Sequence, residues 1–165
     1  MIKSYDEALF ILLMKYPFLG YFIQGCRLVW VDGDHDVDTA AVAINKNAEI
    51  KLILNKTFFK ELTPEQRAGL LMHEVLHLIY THLNYIIELK REDHFIGNLA
   101  ADLDVNQYVP EKWLKEGAFT LEFLKEKKKV DLERKQTFYY YFNELKKLEE
   151  QERKEQENSC LLYTS

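Results

Sequence analysis

Cysteine is scarce in this sequence, and its scarcity excludes two ways of stabilising a fold. Cys26 and Cys160 are the two cysteines, and they lie far apart and outside any paired metal-ligand spacing. They therefore indicate neither a disulfide framework nor a cysteine-ligated zinc site. Because unpaired cysteines are typical of a reducing compartment, we expect a cytoplasmic protein.

An excess of positive charge and long apolar runs are also missing. The formal net charge is −5, which gives no electrostatic reason to expect nucleic-acid binding. No apolar run approaches the ~20 residues that span a bilayer. The apolar stretch Ala8–Met14 follows Asp6 and Glu7 and precedes no small-residue cleavage site, so it does not indicate a signal peptide. We expect neither a nucleic-acid partner nor a membrane partner.

The composition that remains suits one folded domain. Apolar residues make up 47% of the 165 residues, enough for a substantial core. We expect the domain to occupy residues 1–148 and an almost wholly charged helical tail to occupy residues 149–159. Residues 160–165, Cys-Leu-Leu-Tyr-Thr-Ser, form an abrupt apolar ending that resembles a translated sequencing adapter. We expect that ending not to be native.

The first third of the chain predicts a helix followed by a small sheet. Ser4 is a suitable cap for a helix that runs to about Tyr16, where Pro17 and Gly20 are expected to end it. Asn45-Lys46-Asn47 reads as a hairpin turn between two β-like runs. The predicted strands are Arg27–Val31, Thr39–Ile44 and Glu49–Leu54.

Helices are predicted through the middle and the later part of the chain. Thr63-Pro64-Glu65-Gln66 combines a capping threonine, proline at the first helical position and glutamine three residues after the cap. The helix that begins there is expected to run to Leu83 or beyond. After a polar break at Arg91–His94, the other predicted helices cover Phe95–Tyr108, which Pro110 ends, and Gln136–Leu148.

The motif His73-Glu74-Val75-Leu76-His77 lies on the helix that follows Thr63. Residues four apart on a helix lie about 40° apart around its axis, so both histidines project from one face and can bind one metal ion. Glu74 is rotated from His73 by about 100°, which places its carboxylate beside the metal rather than on it. In that position Glu74 can take a proton from a metal-activated water. The pattern predicts a hydrolytic zinc site.

A catalytic zinc ion usually takes three protein ligands, so a further ligand must be found. His82 is the nearest candidate. It lies nine residues after His73, about 180° around a straight helix, and no glycine turns the chain back between His77 and His82. We therefore expect His82 to support the site through hydrogen bonds, with ligation by His82 as the alternative.

The following helix offers a carboxylate as the third ligand. Asn98, Asp102 and Asn106 fall at four-residue intervals and form one polar stripe on an otherwise apolar helix. We expect Asp102 to complete the zinc shell, and Asn98 and Asn106 to orient the ligands. Asp104, about 200° away, should point elsewhere. The alternative is that the stripe is a solvated face.

Other polar and aromatic residues give weaker signals. His35 lies in an acidic loop whose spacing is not that of a calcium-binding loop, so a solvated turn is the better interpretation. His94 is expected to be a loop residue. Tyr80 and Tyr108 are candidates for stabilising an oxyanion, and nothing in the sequence selects one of them.

These residues together resemble a known family. It is the metallopeptidase domain of bacteria and phages that often precedes a von Willebrand A-like domain, and the resemblance extends from about Ser4 to Leu148. No von Willebrand A-like domain follows in this sequence, which departs from the usual organisation of the family. The pieces that carry the resemblance are Leu52–Asn55, Leu70–His77, His82, Asn98–Asp102, Val105–Asn106 and the later aromatic helix Gln136–Leu145.

The resemblance implies an α+β, zincin-like fold, with a small sheet packed against the HExxH helix and a following helix that bears a ligand. It implies His73, His77 and Asp102 as zinc ligands and Glu74 as the catalytic base for hydrolysis of a peptide or protein substrate. Nickel, cobalt or iron in place of zinc stays open. By analogy with zincins, Glu49–Leu54 or Thr39–Ile44 would bind extended substrate by strand addition.

Two other hypotheses stay open at this point. One is a zinc-binding interaction module, with weak or no catalysis, that works with a partner ATPase or a von Willebrand A-like domain. The other is a structural protein in which the motif is fortuitous. Zinc content and the effect of Glu74→Gln distinguish the three.

Overall fold

The computed structural model describes residues 1–34 and 36–163 and shows a mixed α+β protein. The predicted fold class is therefore confirmed. The chain forms two compact units, one made of residues 1–83 and 108–118, the other of residues 84–107 and the chain from residue 119 onward. The elements are α1 (Ile2–Lys15), α2 (Pro17–Gln24), β1 (Arg27–Val31), β2 (Ala40–Ile44), β3 (Ile50–Asn55), α3 (Lys56–Glu61), α4 (Pro64–Ile79), α5 (His82–Glu88), α6 (His94–Asn106), α7 (Leu121–Lys128) and α8 (Phe138–Tyr163), with single 3₁₀ turns at Arg91–Asp93 and Glu111–Trp113.

A three-stranded sheet forms one side of the first unit. The strand order is β1-β3-β2, with β1 parallel to β3 and β2 antiparallel to it. The central strand has the most buried side chains of the three, because it has neighbours on both sides. The backbone of Asn45 bonds to that of Glu49 and Ala48, so the predicted hairpin turn is confirmed.

Helices α1 and α4 pack on each other in this unit and complete its core. Helix α1 ends at Lys15, immediately before Tyr16 and Pro17, so the predicted end of the first helix is confirmed. The expectation that Gly20 also ends it is wrong, because Gly20 lies within α2, a helix that was not predicted. Pro17 occupies the first position of α2, where its missing N–H costs nothing and its fixed φ suits a helix. The fully buried core side chains include Ala8, Leu12, Leu52, Leu54, Phe59, Leu71 and Val75.

Helix α4 begins as predicted and ends earlier than predicted. The Gln66 N–H donates to Thr63 Oγ1, and the Thr63 N–H donates to Gln66 Oε1, at 3.2 and 3.0 Å. The expectation that the helix continues to Leu83 is wrong, because α4 ends at Ile79 and Thr81 takes a positive φ of 56°. A residue in that left-handed region cannot continue a right-handed helix.

The second unit is helical. Helix α6 packs along α8, and their core is rich in aromatic side chains. Tyr141 has no exposed surface, and its hydroxyl donates to the Glu133 carbonyl and receives a bond from Gln107 Nε2. Helix α8 continues through the charged segment that was predicted as a helical tail, and its polar side chains there are exposed. None of the helices in the described residues is both long and apolar enough to cross a membrane.

Candidate metal centre

The two motif histidines face each other on α4. His73 Nε2 and His77 Nε2 lie 2.8 Å apart, and the ring centroids lie 4.4 Å apart at nearly right angles. This is the geometry that four-residue spacing on a helix predicts. Both rings therefore present the same kind of nitrogen to the same small volume, and both side chains are half-buried.

Asp102 on α6 supplies a carboxylate oxygen to the same volume. One ligand atom from each of His73, His77 and Asp102 lies within 4.8 Å of the other two. Ligands of one tetrahedral zinc ion, each about 2.0–2.2 Å from the metal, are about 3.3–3.6 Å apart. The donor set of two imidazoles and one carboxylate is a known catalytic zinc set. These three residues therefore form a group that fits a metal ion after small adjustments of the side chains.

Glu74 lies beside the two histidines in a setting that is unusual for a carboxylate. Only 7% of its surface is exposed. Its neighbours in sequence on α4, Met72, Val75 and Leu76, are buried apolar residues. Burying a charged carboxylate is costly unless it has partners. The role of Glu74 as a general base stays a prediction.

His82 lies close to the site for a reason that sequence reasoning did not foresee. The straight helix that would have carried it to the opposite side ends at Ile79, and the left-handed Thr81 turns the chain. As a result, His82 Nδ1 lies 3.0 Å from His77 Nδ1, and only 1% of His82 is exposed. His82 therefore contacts the edge of the His77 ring opposite to the edge that faces His73.

The two asparagines of the predicted stripe occupy different environments. Asn98 is exposed, whereas only 6% of Asn106 is exposed. The Asn106 amide donates to the Phe119 carbonyl at 2.8 Å. The stripe is thus not a solvated face along its whole length. The proposed role of both asparagines in orienting the ligands stays a prediction.

Two residues that matter for this geometry were missed by sequence reasoning. Gly69 lies one turn before His73, and a Cβ built there would lie 2.1 Å from the Trp113 carbonyl oxygen. Glycine inside a helix was a usable signal of such a close approach. Thr81 gave no signal, because β-branched residues rarely adopt a positive φ.

The remaining candidates have less connection to the centre. The ring of Tyr80 lies 5.7 Å from that of Tyr108 and 5.8 Å from that of His82, measured between centroids. His94 begins α6 rather than lying in a loop, and its Nε2 is 3.2 Å from the Leu89 carbonyl oxygen. His35 lies outside the described residues.

The α+β architecture and the His-His-Asp group are compatible with a zincin-like metallopeptidase fold. The chain belongs to the family described as "Putative metallopeptidase domain", whose sequence profile matches residues 3–159. The predicted family is confirmed.

One curated relative and the solved structures complete the comparison. An uncharacterized protein of Thermotoga maritima is 28% identical over 110 residues, which cover 66% of this chain and 26% of the relative. The chain thus matches about a quarter of a longer protein. No solved structure shows significant similarity to it.

Proposed function

We propose that this protein is a zinc-dependent peptidase in which His73, His77 and Asp102 hold the metal and Glu74 acts as general base. The observation that carries the proposal is the group of three ligand atoms within 4.8 Å, with a buried carboxylate beside it on α4. Family membership supports peptide-bond hydrolysis as the reaction class.

The metal ligands and Glu74 have separate roles in the proposed hydrolysis. His73, His77 and Asp102 would hold the zinc ion, which would supply Lewis acidity toward the scissile carbonyl and toward a water molecule. Glu74 takes the proton from that water and delivers it to the leaving amine, because its carboxylate is adjacent to the ligands without being one of them. The apolar side chains around Glu74 limit the water around its carboxylate, which strengthens its electrostatic interactions.

An extended substrate needs a strand to pair with, and the sheet offers one. The prediction that Glu49–Leu54 could take this role is wrong, because β3 is the central strand and is paired on both sides. Strand β2 lies at the edge of the described sheet and packs against α4. We propose that Ala40–Ile44 aligns the peptide by strand addition.

The cellular compartment and the partner of this protein are also part of the proposal. Cys26 and Cys160 form no disulfide with each other, which supports the cytoplasm as the compartment. A partner ATPase or a von Willebrand A-like domain would fit a chain that matches only part of a longer relative. Such a partner would present the substrate, and the residues described here would cleave it.

The test combines metal analysis with the Glu74→Gln variant. Protein purified with sufficient metal should contain stoichiometric zinc and cleave members of a peptide and protein library, as read by mass spectrometry. Glu74→Gln should retain the zinc and lose activity by about 10²–10⁴-fold, the usual worth of a general base. Glu65→Gln is the matched control, since Glu65 is exposed in the first turn of the same helix.

Each outcome distinguishes the rival functions. Zinc without cleavage in the wild-type protein would overturn the peptidase and favour the interaction module. No zinc would overturn both and leave a structural protein. An equal loss of activity in the Glu65 and Glu74 variants would show that Glu74 is not the general base.

A further inference from the structure

We infer that His82 is a positioning residue that fixes the ring of His77 for metal binding. This inference rests on the proposed function, since it assigns a role toward the metal. Its basis is the contact between the two rings, in which His82 Nδ1 lies 3.0 Å from His77 Nδ1. A contact of this length between ring nitrogens is a hydrogen bond, so one nitrogen carries the proton and the other accepts it.

The direction of this hydrogen bond follows from the position of His73. His77 Nε2 lies 2.8 Å from His73 Nε2, so Nε2 is the nitrogen of His77 that faces the candidate metal position. A neutral imidazole that binds metal through Nε2 carries its proton on Nδ1. His77 Nδ1–H therefore donates, and His82 Nδ1 accepts.

The same geometry excludes His82 as a ligand of the same ion. The two nitrogens of an imidazole ring point to divergent edges of the ring, and His82 contacts the edge of His77 that faces away from His73. An ion held by His73 and His77 is thus out of reach of His82 Nδ1. His82 acts through His77, in the way that carboxylates and carbonyls orient ligating histidines elsewhere.

The backbone is built to hold His82 in this place. The φ of 56° at Thr81 separates α4 from α5 and returns the chain toward His77. Only 1% of His82 is exposed, and its ring packs 5.8 Å from that of Tyr80. A buried ring has few rotamers open to it, so its accepting nitrogen is held in a fixed direction. The ring of His77 is then pre-oriented before metal arrives.

The experiment measures zinc affinity by competition with a chelator, with no need for turnover. His82→Leu removes the acceptor and should weaken zinc binding by about 10–100-fold, the usual effect of removing such a partner. His82→Gln offers an amide oxygen and should recover most of that loss. His94→Leu is the control, since His94 bonds the Leu89 carbonyl, and its affinity should equal that of the wild type.

A measurement on the unaltered protein keeps the inference testable if His82→Leu fails to fold. In the zinc-loaded wild type, nitrogen-15 shifts of the ring nitrogens should show His77 protonated at Nδ1 and His82 unprotonated at Nδ1. A proton on His82 Nδ1, or equal zinc affinity in the wild type and His82→Leu, would overturn the inference alone. A wild-type protein without zinc affinity would overturn the proposed function and this inference with it.

Discussion

Helices α4 and α6 both carry polar residues at four-residue spacing, but the two sets differ in burial and in what their side chains contact. On α4, His73 and His77 have similar burial and direct the same ring nitrogen at each other. The helix is fixed at its start by its own capping box and ends in a left-handed turn. Both ends are thus determined by residues within or next to α4.

On α6 the three stripe residues have three different environments. Asn98 is exposed, Asp102 is half-buried, and Asn106 is buried with a hydrogen bond to the Phe119 carbonyl. Equal spacing sets the direction of a side chain around a helix axis, but the neighbouring elements set what it meets.

The largest effect expected from this contrast is on metal binding. Asp102→Ala removes one of the three groups gathered within 4.8 Å, and we expect zinc affinity to fall by more than about 100-fold, beyond the loss typical of supporting residues. Competition with a chelator measures it. The fall for Asp102→Ala should exceed that for His82→Leu.

Asn98→Ala is the comparison for this prediction, because Asn98 lies one turn earlier on the same helix, is exposed and is predicted to orient the ligands. It should weaken zinc binding by no more than about 10–100-fold, the usual effect of removing a supporting residue. If Asn98→Ala weakened binding as much as Asp102→Ala, the stripe would act as a whole and the assignment of Asp102 as a ligand would be wrong.

The glycines of the two helices should respond differently to the same substitution. A Cβ at Gly69 on α4 would lie 2.1 Å from the Trp113 carbonyl oxygen, whereas a Cβ at Gly97 on α6 would lie 2.7 Å from Leu89 Cδ1. A backbone oxygen cannot move aside, but the end of a leucine side chain can. We expect Gly69→Ala to lower the free energy of unfolding by about 1–3 kcal/mol.

Gly97→Ala should change the free energy of unfolding by less than about 1 kcal/mol, because the gain in helix propensity offsets the shift of Leu89. Urea unfolding of both variants gives the comparison. A Gly69→Ala variant as stable as the wild type would show that the Glu111–Trp113 turn does not pack tightly on α4.

The sequence predicted well where local rules act alone. The capping box at Thr63 and the strand Arg27–Val31 match the observed elements, since side-chain capping and β-branched runs are local signals. The histidine pair follows from helix geometry. The position of Asp102 near the two histidines was predicted from the polar stripe on an otherwise apolar helix, and the family resemblance indicated the same residue.

The predictions that were wrong or missing concern features that depend on contacts distant in sequence or on backbone strain. The end of α1 before Pro17 was predicted, but the start of α2 at Pro17 was not, because a proline fits both the end of one helix and the start of the next. The positive φ of Thr81 is held by surrounding structure against its own preference. The choice between β2 and β3 as the edge strand depends on β1, whose parallel pairing with β3 was not predicted. Each failure concerns tertiary structure that the periodicity of one segment does not encode.

The smallest effect should appear at the starts of the two helices. Lys146 lies 2.8 Å from Asp93, the residue before α6, and its pKa is raised by hydrogen bonds to Asp93 and Glu149. Since the pair is partly solvated, Lys146→Met should cost less than about 1 kcal/mol at neutral pH. A raised pKa means that this contribution is complete below the unfolded value of about 10.4 and fades as the pH rises through the folded value. Thr63→Ala, which removes the cap of α4, should cost about 1 kcal/mol whatever the salt concentration. Urea unfolding of both variants at pH 7 in low and in high salt measures this, since salt screens the charges of a partly solvated pair. A cost for Lys146→Met that high salt left unchanged would show that the packing of its methylene chain, not its charge, supports α6.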